Sequence, residues 1–126
     1  MMLQRLNTPD ASPPAGPYVH AVRHGDTLYL SGLTAFGSPA QTAPIEVQAR
    51  EVFRNIRTIA ESAGSGLENL IKITAFVTEL DRIEQLRAAL FDMYGEHLPA
   101  SSLVRVDGLF AEGLKIEVEA ILAVDA

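Results

Sequence analysis

Two acids near the C-terminal end, Glu117 and Glu119, are the first residues with a spacing suited to chemistry. On an extended strand they share one face, with backbones roughly 7 Å apart. Paired carboxylates at such a distance can carry acid–base work. The same Lys/Glu alternation also fits a solvated or subunit-facing strand surface. His20 and His24 form an H-x-x-x-H pattern, but that spacing brings two imidazoles together only on a helix. On a strand they stand roughly 13 Å apart, too far to share a metal. His97 falls in a helix-exit loop and reads as a surface residue. Tyr18 follows Gly16-Pro17 at the opening of an extended run, and Ser31-Gly32 comes late in the next one. A glycine inside a strand marks a bulge or a close approach of backbone to a ligand or another chain. The sequence has no Cys, which removes thiolate nucleophiles, disulfides and thiolate metal sites. It also has no phosphate-binding glycine loop, dinucleotide fingerprint or nucleophile elbow. The residues alone therefore offer candidates and do not name a reaction.

A scaffold must position those side chains. At 126 residues, 48% apolar and 21% charged, the chain has the composition of one folded domain spanning 1–126. Ten basic residues against 16 acidic ones give a net charge of −6, which counts against a nucleic-acid partner. No apolar run approaches the ~18 residues of a membrane span, and the first residues lack a secretory apolar core. The expectation is a cytoplasmic chain with no membrane partner.

Leu3 to Leu6 reads as a short first strand. Tyr18 to His24 and Thr27 to Leu33 read as a hairpin around Gly25-Asp26. From Ile45 to Ala63 the apolar residues recur at helical spacing (Ile45, Ala49, Val52, Phe53, Ile56, Ile59, Ala60), with Pro44 in the first turn and Gly64 as the terminator. Leu70 to Val77 reads as a buried strand. A second helix is predicted to start from the D-x-x-E pattern of Asp81 and Glu84 and to end near Gly95, with Ile83, Leu86, Leu90 and Tyr94 as its stripe. Ser101 to Val106 and Lys115 to Val124 are the last two strands. The order (β)ββαβαββ specifies an α+β fold, a mixed sheet with two helices on one face. No third helix covers the other face, so that face is either polar or meets another subunit. Oligomerisation is the reading adopted here.

Five segments, taken together and in order, resemble the RidA/YjgF family of reactive-intermediate deaminases: GPYVHAV (16–22), YLSG (29–32), FRNIRTIAESAGSGLENLIKITAFVTEL (53–80), YGEHLPASS (94–102) and IEVEAI (116–121). The resemblance implies a chorismate-mutase-like fold and a homotrimer whose sheets line a central barrel, with small-molecule clefts between subunits. It implies hydrolysis of small imines or enamines to a carbonyl compound and ammonia, with no metal and no cofactor. The family Glu maps onto Glu117, the family Tyr onto Tyr18, and the family Ser-Gly onto Ser31 and Gly32. The family Gln that follows the Tyr by two is His20, and a helix Asn common near the cleft is matched to Glu84.

One match fails. The family reads P-A-R-S where this chain reads Pro99-Ala100-Ser101-Ser102. Ser101 thus replaces the Arg that grips the substrate carboxylate. A bidentate Arg–carboxylate pair is charge-assisted, and losing it would weaken carboxylate binding by roughly one to two orders of magnitude. The expectation is a cleft that handles 2-imino acids inefficiently. Arg105, four residues further along the same strand face, is a possible replacement cation, although about 13 Å separates it from Ser101. Its other role would be to pair with the Glu117/Glu119 face. The competing readings are a non-catalytic ligand-binding or protein-interaction trimer, and a ribonuclease, which the acidic charge disfavours.

Overall fold

A computed structural model describes residues 2–125. The strands are β1 (Leu3–Leu6), β2 (Ala21–His24), β3 (Thr27–Leu33), β4 (Leu70–Val77), β5 (Ala100–Arg105) and β6 (Ile116–Ala123). The helices are α1 (Ile45–Ser62) and α2 (Ile83–Tyr94), with a 3-10 turn at Leu67–Asn69. The six strands form one sheet in the order β1-β2-β3-β6-β4-β5. Neighbours are antiparallel except β4 and β5, which run parallel. A parallel pair needs a crossover, and α2 supplies it. The (β)ββαβαββ reading therefore describes the fold.

Helix α1 forms where the apolar stripe runs, and it buries Ile45, Ala49, Val52, Phe53, Ile56 and Ile59. Its C-terminus closes with Gly64 at φ +81°, where the Gly64 and Ser65 N–H groups donate to the carbonyls of Glu61 and Ala60. A residue with a Cβ is strained at that φ. Pro44 sits one position before the first turn rather than in it, and its carbonyl accepts from the N–H groups of Val47 and Gln48. Beneath the helices, Ile116, Val118, Ala120 and Leu122 of β6 join Ile73, Ala75 and Val77 of β4 in the core. Phe53 meets Tyr94 of α2 edge-on, with ring centroids 5.5 Å apart.

Two predicted boundaries need correction. The strand expected from Tyr18 begins only at Ala21. Side chains and loops claim the preceding backbone: the His20 N–H donates to Asn7 Oδ1 at 2.9 Å, and the Tyr18 N–H turns back to the Gly16 carbonyl. The D-x-x-E start at Asp81 does not form either. Helix α2 starts at Ile83 without a side-chain cap. Its entry is held instead by Arg82, whose guanidinium bonds both carboxylate oxygens of Glu46 at the start of α1 (Nε to Oε1, 2.9 Å). That pairing pulls the Glu46 carboxyl down to about 2.

The sheet face turned away from the helices carries Tyr29 and Val104, 47% and 43% exposed, together with Phe76 and Ile121. The Tyr29–Ile121 and Phe76–Val104 pairs are separated on this face by a polar row of Glu119, Thr74 and Ser102.

Candidate functional site

Strand β6 sets the site. Its residues alternate between core and open face, and the register pairs Glu117 with Phe76 on the open side. Beside it, β3 breaks register between Leu30 and Leu33, and the irregularity brings Gly32 against Glu117. A Cβ built on Gly32 would stand 2.9 Å from the Glu117 carboxyl carbon and 3.1 Å from its Cγ. Only a residue without a side chain leaves room for the acid, as expected of a glycine at a bulge or close approach.

Around this acid lies an open cavity of about 520 Å³ lined by Ala15, Tyr18, Ser31, Gly32, Phe110 and Glu117. No lining residue is cationic. Burial pushes the Glu117 carboxyl above the usual carboxylate range, and the nearby Glu119 charge adds to the rise. A carboxyl with raised proton affinity is better suited than an ordinary carboxylate to take a proton and return it. Tyr18 accepts from the Ala15 N–H at 3.3 Å, which leaves its own O–H free to donate. The Ser31 hydroxyl donates to the Val19 carbonyl at 2.6 Å, so toward the cavity it is an acceptor.

The other sequence-derived candidates lie elsewhere or do other work. His20 is buried, and both ring nitrogens are engaged: Nδ1 accepts from the Thr8 N–H at 3.1 Å, and Nε2 donates to the Ser12 carbonyl at 2.7 Å. It therefore holds the N-terminal loop and has no ring proton to offer a ligand. Ser101 pairs with Ile73 in the β4–β5 register and so faces the helices. Glu117 lies two strands away on the opposite face. Within one chain the two cannot line the same cleft.

Arg105, paired with Val77, shares the helix side with Ser101. Within one chain it does not reach the Glu117/Glu119 face. Glu84 is exposed, bonds Arg87 at 3.0 Å, and lines neither cavity described here.

Ser101 does line a second cavity, of about 360 Å³, with Arg87, Leu90, Phe91, Tyr94, Leu98 and Pro99. The sequence reading missed Arg87. It lies on the same α2 face as Leu90, Phe91 and Tyr94, at i, i+3, i+4 and i+7, and that spacing was the available signal. Phe110, at the rim of the Glu117 cavity 5.1 Å from Phe36, was also missed, because it sits in an irregular loop with no periodicity to read.

Among the described residues no group of three or more His, Asp or Glu is placed to hold a metal ion, and no helix is long and apolar enough to cross a membrane.

Comparison with known proteins identifies the family. Residues 8–124 match the family model described as endoribonuclease L-PSP. The chain is 33% identical over 125 residues to a 2-iminobutanoate/2-iminopropanoate deaminase from Escherichia coli, covering 95% of this chain and 97% of that one. It is 28% identical over 123 residues to a protein of the same name from Dermatophagoides farinae, covering 95% of each. The crystal structure of RidA from an Antarctic Psychrobacter superposes with a TM-score of 0.87 at 32% identity, over 96% of this chain and 99% of the other. The chain belongs to the RidA/YjgF family, the family also described as endoribonuclease L-PSP.

Proposed function

We propose that this protein hydrolyses a small imine or enamine in a cleft shared by two copies of the chain, most simply within a homotrimer. The observation that carries this reading is the Glu117 carboxyl, held with raised proton affinity against Gly32 in a cavity that also presents the Tyr18 hydroxyl. The deaminases it resembles act, by their names, on 2-iminobutanoate and 2-iminopropanoate.

The chemistry needs little more than a positioned water. Water adds to the C=N carbon and forms a C–O bond, and Glu117 accepts a proton from that water. The proton is returned to nitrogen as the C=N π bond breaks. The hydroxyl proton of the resulting carbinolamine then passes by way of Glu117 to nitrogen, the C–N bond breaks as the C=O bond forms, and ammonia leaves with a carbonyl product. An enamine enters the same path after a proton moves from its nitrogen to carbon to give the imine. Tyr18 donates a hydrogen bond that orients the substrate. The opposite faces of Glu117 and Ser101 support a shared cleft, since only a second copy can bring a β5 edge to the Glu117 side. The apolar pairs on the sheet face left uncovered by the helices support association as well.

With Ser101 in place of the family Arg, β5 no longer grips a carboxylate in the family's usual position. Small 2-imino acids such as 2-aminoacrylate are therefore expected to turn over slowly. The test is release of carbonyl product from 2-aminoacrylate and from larger or neutral imines, with Glu117→Gln as the comparison. The reading requires imine turnover that Glu117→Gln abolishes while ligand binding persists. Equal turnover by the variant would overturn it, and ligand binding without turnover in the unmodified protein would leave the non-catalytic binder instead.

A further inference from the structure

The second cavity combines features that its place in the chain does not explain. Leu90, Phe91, Leu98 and Pro99 make its walls apolar, and Phe91 and Leu98 are 62% and 59% exposed. Arg87 is the cation among its lining residues, and Ser101, in the family's Arg position, is another of them. Tyr94 also lines it, and among the described residues the Tyr94 hydroxyl is a buried side-chain polar atom with no hydrogen-bond partner. Such an atom is costly to leave unsatisfied.

Among the described residues Arg87 is held only by Glu84, through one bond of 3.0 Å between side chains 62% and 80% exposed. Exposed pairs of this kind are weak, so an incoming carboxylate can take Glu84's place. A carboxylate accepts two parallel hydrogen bonds from a guanidinium, whereas Glu84 takes one.

We propose that Arg87 is the anion-binding residue of this cleft, and that it selects carboxylates carrying an apolar side chain large enough to cover Leu90, Phe91 and Leu98. The guanidinium comes from helix α2 rather than strand β5, so the carboxylate sits displaced from the family's usual place and small substrates lose the wall contacts. Glu84 is the internal competitor for the same guanidinium. This inference rests on the proposed cleft for its link to catalysis, but anion binding at Arg87 can be measured without turnover.

The experiment is calorimetric titration of the full-length protein with 4-methyl-2-oxopentanoate, its methyl ester and pyruvate. The expected result is tighter binding of the acid than of its ester by about 10- to 100-fold, the range expected for a charge-assisted bond, with pyruvate weaker than the larger acid. Arg87→Gln should remove the preference for acid over ester, Arg87→Lys should keep part of it, and Glu84→Gln should strengthen acid binding. Both positions are exposed, so the three variants should fold. An acid-over-ester preference that survives Arg87→Gln, or its absence from the unmodified protein, overturns the inference. Imine turnover lost in Glu117→Gln would still stand in that case, and anion binding at Arg87 with no imine turnover would sink the proposed function alone.

Discussion

Replacing Gly32 by alanine separates the site from the fold with one methyl group. The new Cβ would lie 2.9 Å from the Glu117 carboxyl carbon and 3.1 Å from its Cγ. Comfortable carbon–carbon contact begins at about 3.5 Å, so the carboxylate must move by roughly half an ångström to one ångström. Because the obstacle is the free end of a flexible side chain, it can swing away cheaply. Alanine is also favoured over glycine within a strand by about 0.5–1 kcal/mol, so stability should hold or rise slightly. Catalysis should not hold, because a displacement of about 1 Å can cost on the order of 100-fold in rate. Steady-state carbonyl release, measured beside a thermal melt, reads both quantities. Turnover equal to that of the unmodified protein would refute the claim that the Gly32 gap positions Glu117. A rate loss accompanied by an equal collapse in Tm would refute the claim that the effect is local.

Three further substitutions test the electrostatics and the packing. Burial holds the Glu117 carboxyl above its ordinary range, so the folded state binds that proton more tightly than the unfolded chain does. The stability this gives is complete below the ordinary carboxylate range and is lost as pH rises through the elevated folded value. Glu117→Gln should therefore raise Tm at neutral pH, and the gain should vanish in acid; a thermal melt series across pH checks both signs. Phe53, 1% exposed, should cost about 3–5 kcal/mol as alanine, a Tm loss on the order of 10 °C. Phe91→Ala, on the exposed face of α2, should change stability by less than about 0.5 kcal/mol, and differential scanning calorimetry of the two variants measures the contrast.

The strongly periodic segments were readable in advance. The stripe from Ile45 to Ala60 and the alternation from Ile116 to Leu122 each specify one buried face, and both faces enter the core. Boundaries failed where side chains override local pattern: Asn7 claims the His20 N–H before β2 can extend, and Arg82 reaches Glu46 where a capping acid was expected. Gly32 was legible as a bulge or close approach, but the residue it approaches was not, because a contact across 85 positions of sequence depends on sheet order. Arg87 was missed for a similar reason. Its role depends on Ser101 facing the helices, and a strand's alternation does not say which of its two faces the helices cover.

The central claim is that one copy supplies Glu117 and the next supplies the Ser101 and Arg87 edge of the same cleft. Mixing two separately defective variants, Glu117→Gln and Arg87→Gln, tests it directly, with hydrolysis of the imine of 4-methyl-2-oxopentanoate as the readout. If the pocket is built at the seam of a closed ring, random exchange of subunits restores about one intact pocket in four, so the re-assorted mixture should far exceed either parent. Activity that stays at the sum of the two parents after complete subunit exchange would contradict the claim.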